Sequence, residues 1–173
     1  MHDKMRRCAV VAGCCLVAAG CASGPSLPDE AHLETPSVRQ QCVPFARRES
    51  GIAIHGDAWT WWEQAAGRYR RSSQPATGAV MVLDDYAGPF RAHLAVVRAV
   101  TGPRTIRVDQ ANWLDAGRLY LDDPVEDESP DNDWSLVRVF NLATGAWGAR
   151  TYHVKGFIGP GPASDPATTA VSN

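Results

Sequence analysis

The chain has 173 residues, of which 45% are hydrophobic and 21% are charged. This length fits one domain with tails, and the composition argues against a collagen-like, coiled-coil or wholly disordered chain. Seventeen Lys and Arg residues oppose 19 Asp and Glu residues, giving a formal charge of -2 with no long basic stripe. We therefore predict no nucleic-acid partner, because such a groove needs many phosphate contacts.

The N-terminal segment has the pattern of an export signal. Three basic side chains in residues 4–7 precede an apolar run over residues 8–20, which is shorter than the roughly 20 residues of a membrane-spanning helix. Residues 18–21 (AAGC) resemble a bacterial lipobox, whose cysteine receives a lipid and becomes the new N-terminus. We predict a lipoprotein signal peptide over residues 1–20 and lipidation of Cys21. The protein would then be exported to the cell envelope and held at the membrane by its N-terminal lipid. An ordinary signal peptide, which would leave a secreted protein, is the alternative.

Two segments poor in apolar residues flank the region that we expect to fold. Residues 21–39 are rich in Pro, Ser and small polar residues and predict a flexible tether, and residues 159–173 predict a disordered tail. The folded domain is therefore expected over residues 40–158. Cys42 is then the one cysteine in the folded part, so no intramolecular disulfide is predicted.

The first predicted elements are two short helices. The segment 42–50 carries Pro44 in its first turn and is followed by Gly51, which is the usual order at the two ends of a helix. Asp57 is a suitable cap for a second helix over residues 58–66, which contains a cluster of Trp side chains.

Strand patterns follow, separated by turns that contain Gly or Asp. Apolar runs and period-two alternation predict strands at residues 79–83, 93–100, 105–112, 118–121, 135–141 and 147–154. The short turns favour antiparallel pairing. We therefore predict an α+β fold in which N-terminal helices pack on a mostly antiparallel sheet.

The stretch 122–133 (DDPVEDESPDND) concentrates acidic side chains between two predicted strands. It lacks the Gly and the terminal Glu of an EF-hand loop, so we expect a solvated loop without a metal ion. Glycine-rich phosphate loops and dinucleotide fingerprints are absent from the sequence, and no cofactor is predicted.

Cys42 and His93 have the placement that a thiol nucleophile and its base require. A free thiol has a pKa of about 8.5 and becomes more acidic at a helix N-terminus or beside an imidazole. Cys42 begins the first predicted helix, and its backbone N–H could serve an oxyanion hole. His93 begins a predicted strand, which would aim its imidazole rigidly. The sequence therefore predicts a Cys42 thiolate at neutral pH.

The imidazole also needs an acceptor that fixes its tautomer. Asp109, Gln110 and Asn112 lie on the strand expected to pair with that of His93. Period two places Gln110 and Asn112 on one face and Asp109 on the other, so one of the two sets can reach His93.

Five segments of the sequence carry a resemblance to a known family. They are QCVPFAR (41–47), GDAWTWWEQA (56–65), PATGAVMVL (75–83), HLAVV (93–97) and VDQANW (108–113). Together they resemble the CHAP domain, a cysteine, histidine-dependent amidohydrolase/peptidase of the papain-like superfamily. The resemblance implies a papain-like cysteine-peptidase fold, with Cys42 as nucleophile and His93 as general base.

By the same resemblance, Gln110 stands where the family usually has Glu, Asn112 matches the family's Asn, and Trp113 follows as a groove wall or a core residue. Ala92 replaces the family's Gly before His93. An amide at position 110 can accept a hydrogen bond from the imidazole but cannot stabilise an imidazolium by charge. Asp109 would compensate for the missing carboxylate if a bulge turned it inward.

The resemblance implies hydrolysis of an amide in peptidoglycan, in the stem peptide, in the cross-bridge or at the link to N-acetylmuramic acid. The Gln110 and Ala92 departures keep an alternative open, a catalytically weak or inactive cell-wall-binding lipoprotein. An amidase acting on a small peptide conjugate is a third possibility.

Overall fold

A computed structural model describes residues 30–114 and 117–161 of the chain. The predicted signal peptide, Cys21, the first part of the predicted tether (residues 21–29) and most of the predicted tail (residues 162–173) lie outside the described residues. Across the described ranges, no helix has both the length and the apolar character needed to cross a bilayer.

The described residues form eight strands, two short α-helices and one turn of 3₁₀-helix at Ala58–Thr60. The helices are α1 (Cys42–Ser50) and α2 (Trp61–Gln64). The strands are β1 (His32–Glu34), β2 (Arg71–Ser72), β3 (Val80–Asp84), β4 (His93–Gly102), β5 (Thr105–Ala111), β6 (Leu119–Asp127), β7 (Leu136–Asn141) and β8 (Ala146–Ile158).

Six of these strands close into a barrel. Strands β3 to β7 pair in chain order with their neighbours, and β8 pairs with both β7 and β3, each time antiparallel. Strands occupy 42% of the described residues and helices 12%. The prediction of a papain-like α+β fold, with N-terminal helices packed on a mostly antiparallel sheet, is therefore wrong. The alternation of apolar and polar residues predicts where strands lie but not which strands pair. Strand β8 is long enough to pair with one strand on each side, and this pairing closes the sheet into a barrel.

The acidic stretch departs from the prediction of a solvated loop. Strand β6 continues through its first half, and Asp123 and Asp127 are 0% and 2% exposed. Val125 belongs to the core inside the barrel, and Asp123 and Asp127 share its parity along the strand, so inward positions of β6 partly carry carboxylates. The sequence pattern did not indicate this strand, because the inward positions of a strand normally carry apolar side chains and here two of them carry Asp.

Part of the predicted tether contacts the barrel. Strand β1 pairs antiparallel with the start of β6, and the backbone N–H of Gln40 donates to the carbonyl of Gly117 across 3.1 Å. Contacts with the barrel therefore begin before residue 40.

The two faces of β4 contribute to two different apolar cores. Ala95 and Val97 belong to the core inside the barrel, whereas Leu94 and Val96 pack with the helices against its outer face. His93 shares the parity of Ala95 and is 2% exposed. Its imidazole is therefore aimed at the barrel interior, at the end of the barrel where β4 begins.

Helix α1 begins beside that end of β4. Its first intrahelical hydrogen bond runs from the N–H of Phe45 to the carbonyl of Gln41, which leaves the N–H groups of Cys42 and Val43 outside the helical ladder. Pro44 has no N–H to lose at this position. The helix ends at Gly51, whose φ of 73° lies in the left-handed region and whose N–H donates to Arg47.

Candidate active site

A groove of about 430 Å³ lies between the N-terminus of α1 and the start of β4. Its lining includes Cys42 from the helix and His93 from the strand, together with Gln41, Tyr86 and Asn112. Side chains that the sequence placed on separate elements therefore meet around one solvent-accessible groove.

Cys42 is the first residue of α1 and is partly buried. Burial raises the pKa of the Cys42 thiol above its ordinary value. The backbone N–H groups of Leu94, Val43 and Cys42 lower this pKa, but burial is the larger effect. The resting sulfur is therefore a thiol at neutral pH, in contrast to the thiolate expected from the sequence.

His93 is held between aromatic rings. Its ring centroid lies 5.3 Å from that of Tyr86 and 4.8 Å from that of Trp113. Burial lowers the pKa of His93 to about 3, against an opposing effect of its hydrogen bond to Gln110. The imidazole is therefore neutral at neutral pH and keeps a lone pair, although the same burial makes it a weaker base than a free imidazole.

Gln110 is the partner of the imidazole. His93 Nε2 lies 3.0 Å from Gln110 Oε1. Because an amide oxygen can only accept, Nε2 carries the proton and Nδ1 keeps a lone pair. This tautomer leaves Nδ1 unprotonated, on a side chain that lines the same groove as Cys42. The Gln110 amide group in turn donates from Nε2 to Asp123 Oδ2 across 2.7 Å.

Asp109 lies away from the imidazole. Its Oδ1 accepts from the backbone N–H of Asp122 across 2.8 Å, and its Oδ2 pairs with Arg98 at 3.1 Å. Of the two sets that the sequence left open, the one containing Gln110 thus reaches His93. Asp109 does not replace the missing carboxylate.

Residues 34–112 match the family model of the CHAP domain. This match confirms the resemblance, and the family is one of cysteine-histidine-dependent amidohydrolases and peptidases. The match to this family indicates the general class of a hydrolase that acts on a peptidoglycan-related substrate. No curated protein matches the sequence significantly.

Asn112 is inside the CHAP match but does not contact the imidazole. Its Nδ2 donates to Gln41 Oε1 across 3.0 Å, and its Oδ1 accepts from the N–H of Gly117 at 2.8 Å. Strand β5 ends at Ala111, and Asn112 has a φ of 58°, so it no longer follows the parity of Gln110. Asn112 therefore positions the side chain that precedes Cys42.

Trp113 does not line the groove. It is 3% exposed and packs inside the barrel with Tyr86 and Tyr152, edge-on to His93. Tyr86 closes the cluster by donating its hydroxyl proton to the Trp113 carbonyl. The structure therefore gives Trp113 a packing role behind the imidazole, and does not support its prediction as a substrate-binding residue.

Three residues near the CHAP site were missed by sequence reasoning. Gln41 adjoins the nucleophile in the motif QCVPFAR, so its position was the available signal. Tyr86 follows a strand end and carries no local signal. Asp123 lies beyond the CHAP match. The available signal for its inward orientation was its period-two spacing from Val125 and Asp127.

Within residues 30–114 and 117–161, no group of three or more His, Cys, Asp or Glu side chains is arranged to hold a metal ion. The groove thus brings together a thiol, a neutral imidazole and two helix N–H groups that lie outside the helical hydrogen-bond ladder.

Proposed function

We propose that this protein is a peptidoglycan-directed cysteine amidase or endopeptidase that hydrolyses an amide bond through Cys42 and His93. The observation that carries the proposal is the orientation of His93: its Nε2 is held by Gln110, so Nδ1 is the basic nitrogen in the groove that Cys42 lines. Thiol and base in this arrangement are the parts needed for nucleophilic acyl transfer.

The first half of the reaction begins from neutral groups. As Cys42 Sγ bonds to the amide carbon, its proton passes to His93 Nδ1 and the carbonyl oxygen becomes an oxyanion. The N–H of Cys42, at the start of α1, is a suitable donor to that oxyanion. The C–N bond then breaks, His93 Nδ1 returns the proton to the leaving amine, and a thioester remains on Cys42.

The second half releases the acyl group. A water molecule gives one proton to His93 Nδ1 and its oxygen bonds to the thioester carbon. The C–S bond breaks, and the sulfur takes the proton back from His93. The products are an amine and a carboxylic acid, and the enzyme regains its thiol and neutral imidazole.

An extended substrate is favoured over a small conjugate by the surface beside the groove. A second groove of about 530 Å³ shares Trp59 and Phe90 with the first. These side chains are 44% and 72% exposed, and their rings meet edge-on at 5.4 Å. Two adjoining grooves with an aromatic rim fit a polymer that extends beyond its scissile bond.

We also propose that the protein is exported and anchored in the cell envelope through a lipid on Cys21, a residue outside the described part of the chain. Mass spectrometry of the intact protein from membranes tests this proposal. A lipid-sized mass increase that is lost in Cys21→Ala supports it, whereas an unmodified N-terminus contradicts it.

Purified sacculi incubated with the protein test the activity. We expect new muropeptides that carry a hydrolysed amide, and none with Cys42→Ala, which removes the sulfur alone. Identical digests from the two proteins would contradict the proposal. The alternative, an inactive wall-binding lipoprotein, is favoured by the amide in place of a carboxylate beside His93. It predicts sedimentation with sacculi and no new muropeptides.

A further inference from the structure

We propose that Asp123 is a positioning residue for the His93 imidazole, acting through the Gln110 amide. This inference rests on the proposed function, since it assigns Asp123 a part in setting up the base of that reaction. It lies outside the CHAP match, which ends at residue 112.

The three side chains form one buried chain of hydrogen bonds. His93 Nε2 contacts Gln110 Oε1 at 3.0 Å, and Gln110 Nε2 contacts Asp123 Oδ2 at 2.7 Å. Gln110 and Asp123 are both fully buried, at 0% exposure. No solvent therefore competes for these contacts, and each side chain constrains the next.

A bulge brings Asp123 beside Gln110. Val108 pairs with Asp123, but two residues along β5 Gln110 pairs with Tyr120, so β6 carries one extra residue between these pairs. Asp122 lies in that extra stretch with a φ of 51°. Bulges next to active sites re-aim side chains, and this one directs Asp123 to the side of β6 that faces Gln110.

The carboxylate decides which way the Gln110 amide points. The amide NH₂ of Gln110 faces Asp123 and its oxygen faces His93, which is the orientation required by an ionised carboxylate, since that group only accepts. Without it, the amide is free to turn and present its NH₂ to His93. Nε2 would then have to accept, the proton would move to Nδ1, and the base opposite Cys42 would be lost.

Burying the Asp123 carboxylate has a cost in desolvation free energy. Burial raises the pKa of Asp123 well above its ordinary value, against the lowering effects of the hydrogen bond from Gln110 and of Arg107, and nearby Asp122 adds a smaller upward effect. Its Oδ1 has no hydrogen-bond partner among the described residues. Folding alone does not explain a half-satisfied carboxylate at this position, because an apolar side chain would avoid the desolvation cost.

When ionised, Asp123 also supplies negative charge behind the amide. Gln110 cannot offset the positive charge that develops on His93 as the thiol proton is transferred. A carboxylate one amide away stabilises that imidazolium in a buried, weakly screened environment. The carboxylate of this site therefore reaches the imidazole through the Gln110 side chain and does not contact it directly.

Three variants of the full chain test the inference. Asp123→Asn removes the charge at constant shape. The double variant Gln110→Glu with Asp123→Asn exchanges amide and carboxylate, so that the carboxylate touches His93 directly. Asp109→Asn is the matched control, because it removes a carboxylate from the same strand pair without a contact to His93.

We expect Asp123→Asn to lower kcat for muropeptide release by roughly tenfold to a hundredfold with little change in KM, a part of the 10²–10⁴ that acid–base catalysis supplies. The exchanged double variant should recover most of that loss, and Asp109→Asn should match the wild type. A purely structural role would not predict recovery in a variant with two substitutions.

The ¹⁵N chemical shifts of His93 report the tautomer without any substrate. We expect a single Nε2–H form in the wild type and a mixture in Asp123→Asn. An unchanged tautomer together with an unchanged kcat would overturn the inference. If the wild type releases no muropeptide, the proposed function fails, while the ¹⁵N shifts still decide the role of Asp123.

Discussion

His93 and Gln110 meet across paired strands β4 and β5, with the imidazole Nε2 donating to the amide Oε1 over 3.0 Å. Both side chains are buried. An uncharged amide fixes the orientation of the imidazole without adding the negative charge that would make it more basic. The proposed reaction would therefore begin from two neutral groups.

The activity of the neutral pair should extend to low pH. The pKa of His93 is lowered to about 3 by burial, so the imidazole remains able to accept a proton well below pH 6.5. We expect kcat/KM for a soluble muropeptide to be nearly flat from about pH 5 to 8, since this parameter reports the free enzyme's ionisations. An acidic limb centred near pH 6.5 would contradict a buried neutral imidazole.

The Cys42 thiol should react slowly with alkylating reagents near neutral pH. Only the thiolate is alkylated, and burial raises the pKa of Cys42. We expect the rate of iodoacetamide labelling to climb with pH and to reach no plateau below about pH 9, the range of an unshifted thiol. Mass spectrometry of labelled Cys42 measures this rate.

Cys42→Ala is the control for labelling at other positions. A rate plateau between pH 5 and 7 would instead demonstrate a preformed thiolate–imidazolium pair.

The predictable part of the site consists of residues whose placement is local. The positions of Cys42 at a helix start and of His93 at a strand start follow from the nearby sequence. The period-two alternation of strand side chains correctly placed Gln110 on the face that reaches His93. Asn112 was grouped with Gln110 because the positive φ that ends the alternation leaves no mark in a strand pattern. Asp123 contacts Gln110 through strand pairing and a bulge, neither of which the sequence specifies locally.

The protonation states and the barrel were missed for a related reason. The helix N-terminus and the expected His93 imidazole argued for a thiolate at Cys42, but burial, which depends on the whole fold, has the larger effect on its pKa. In the same way, the strand segments were readable, whereas closure depends on β8 pairing with both β3 and β7. Properties set by distant partners are those that the sequence pattern did not predict.

His93 should also make stability depend on pH. Its folded-state pKa of about 3 lies below the 6.5 of an unperturbed imidazole, so the unfolded chain binds a proton first as the pH falls. Stability is therefore complete above about pH 6.5 and is lost towards pH 3, by on the order of 5 kcal/mol at most. Denaturant unfolding at a series of pH values measures this change.

The matched variant for this measurement is His93→Gln, which keeps a side-chain donor and does not titrate. Other titrating groups are common to both proteins, including Asp123, whose raised pKa acts in the opposite direction. The difference between the two stability curves therefore isolates His93. Parallel curves between pH 6.5 and 4 would show that the folded imidazole titrates normally.

The aromatic rim should matter for the polymer and not for the chemistry. Trp59 and Phe90 are exposed, pair edge-on and border both grooves. Phe90 has a φ of 59°, a left-handed conformation that a bulky side chain rarely adopts and that active-site regions often retain. Removing the rings should weaken substrate contact while leaving Cys42 and His93 in place.

We expect Trp59→Ala and Phe90→Ala each to lower kcat/KM on sacculi by roughly tenfold, the loss of about 1–2 kcal/mol of aromatic contact. The iodoacetamide labelling profile of Cys42 should not change. Val100→Ala is the control, because Val100 is also exposed, at 49%, but lies outside the lining of either groove. An equal loss of activity in all three variants, or an altered labelling profile in the rim variants, would mean that the rings act on folding and not on the substrate.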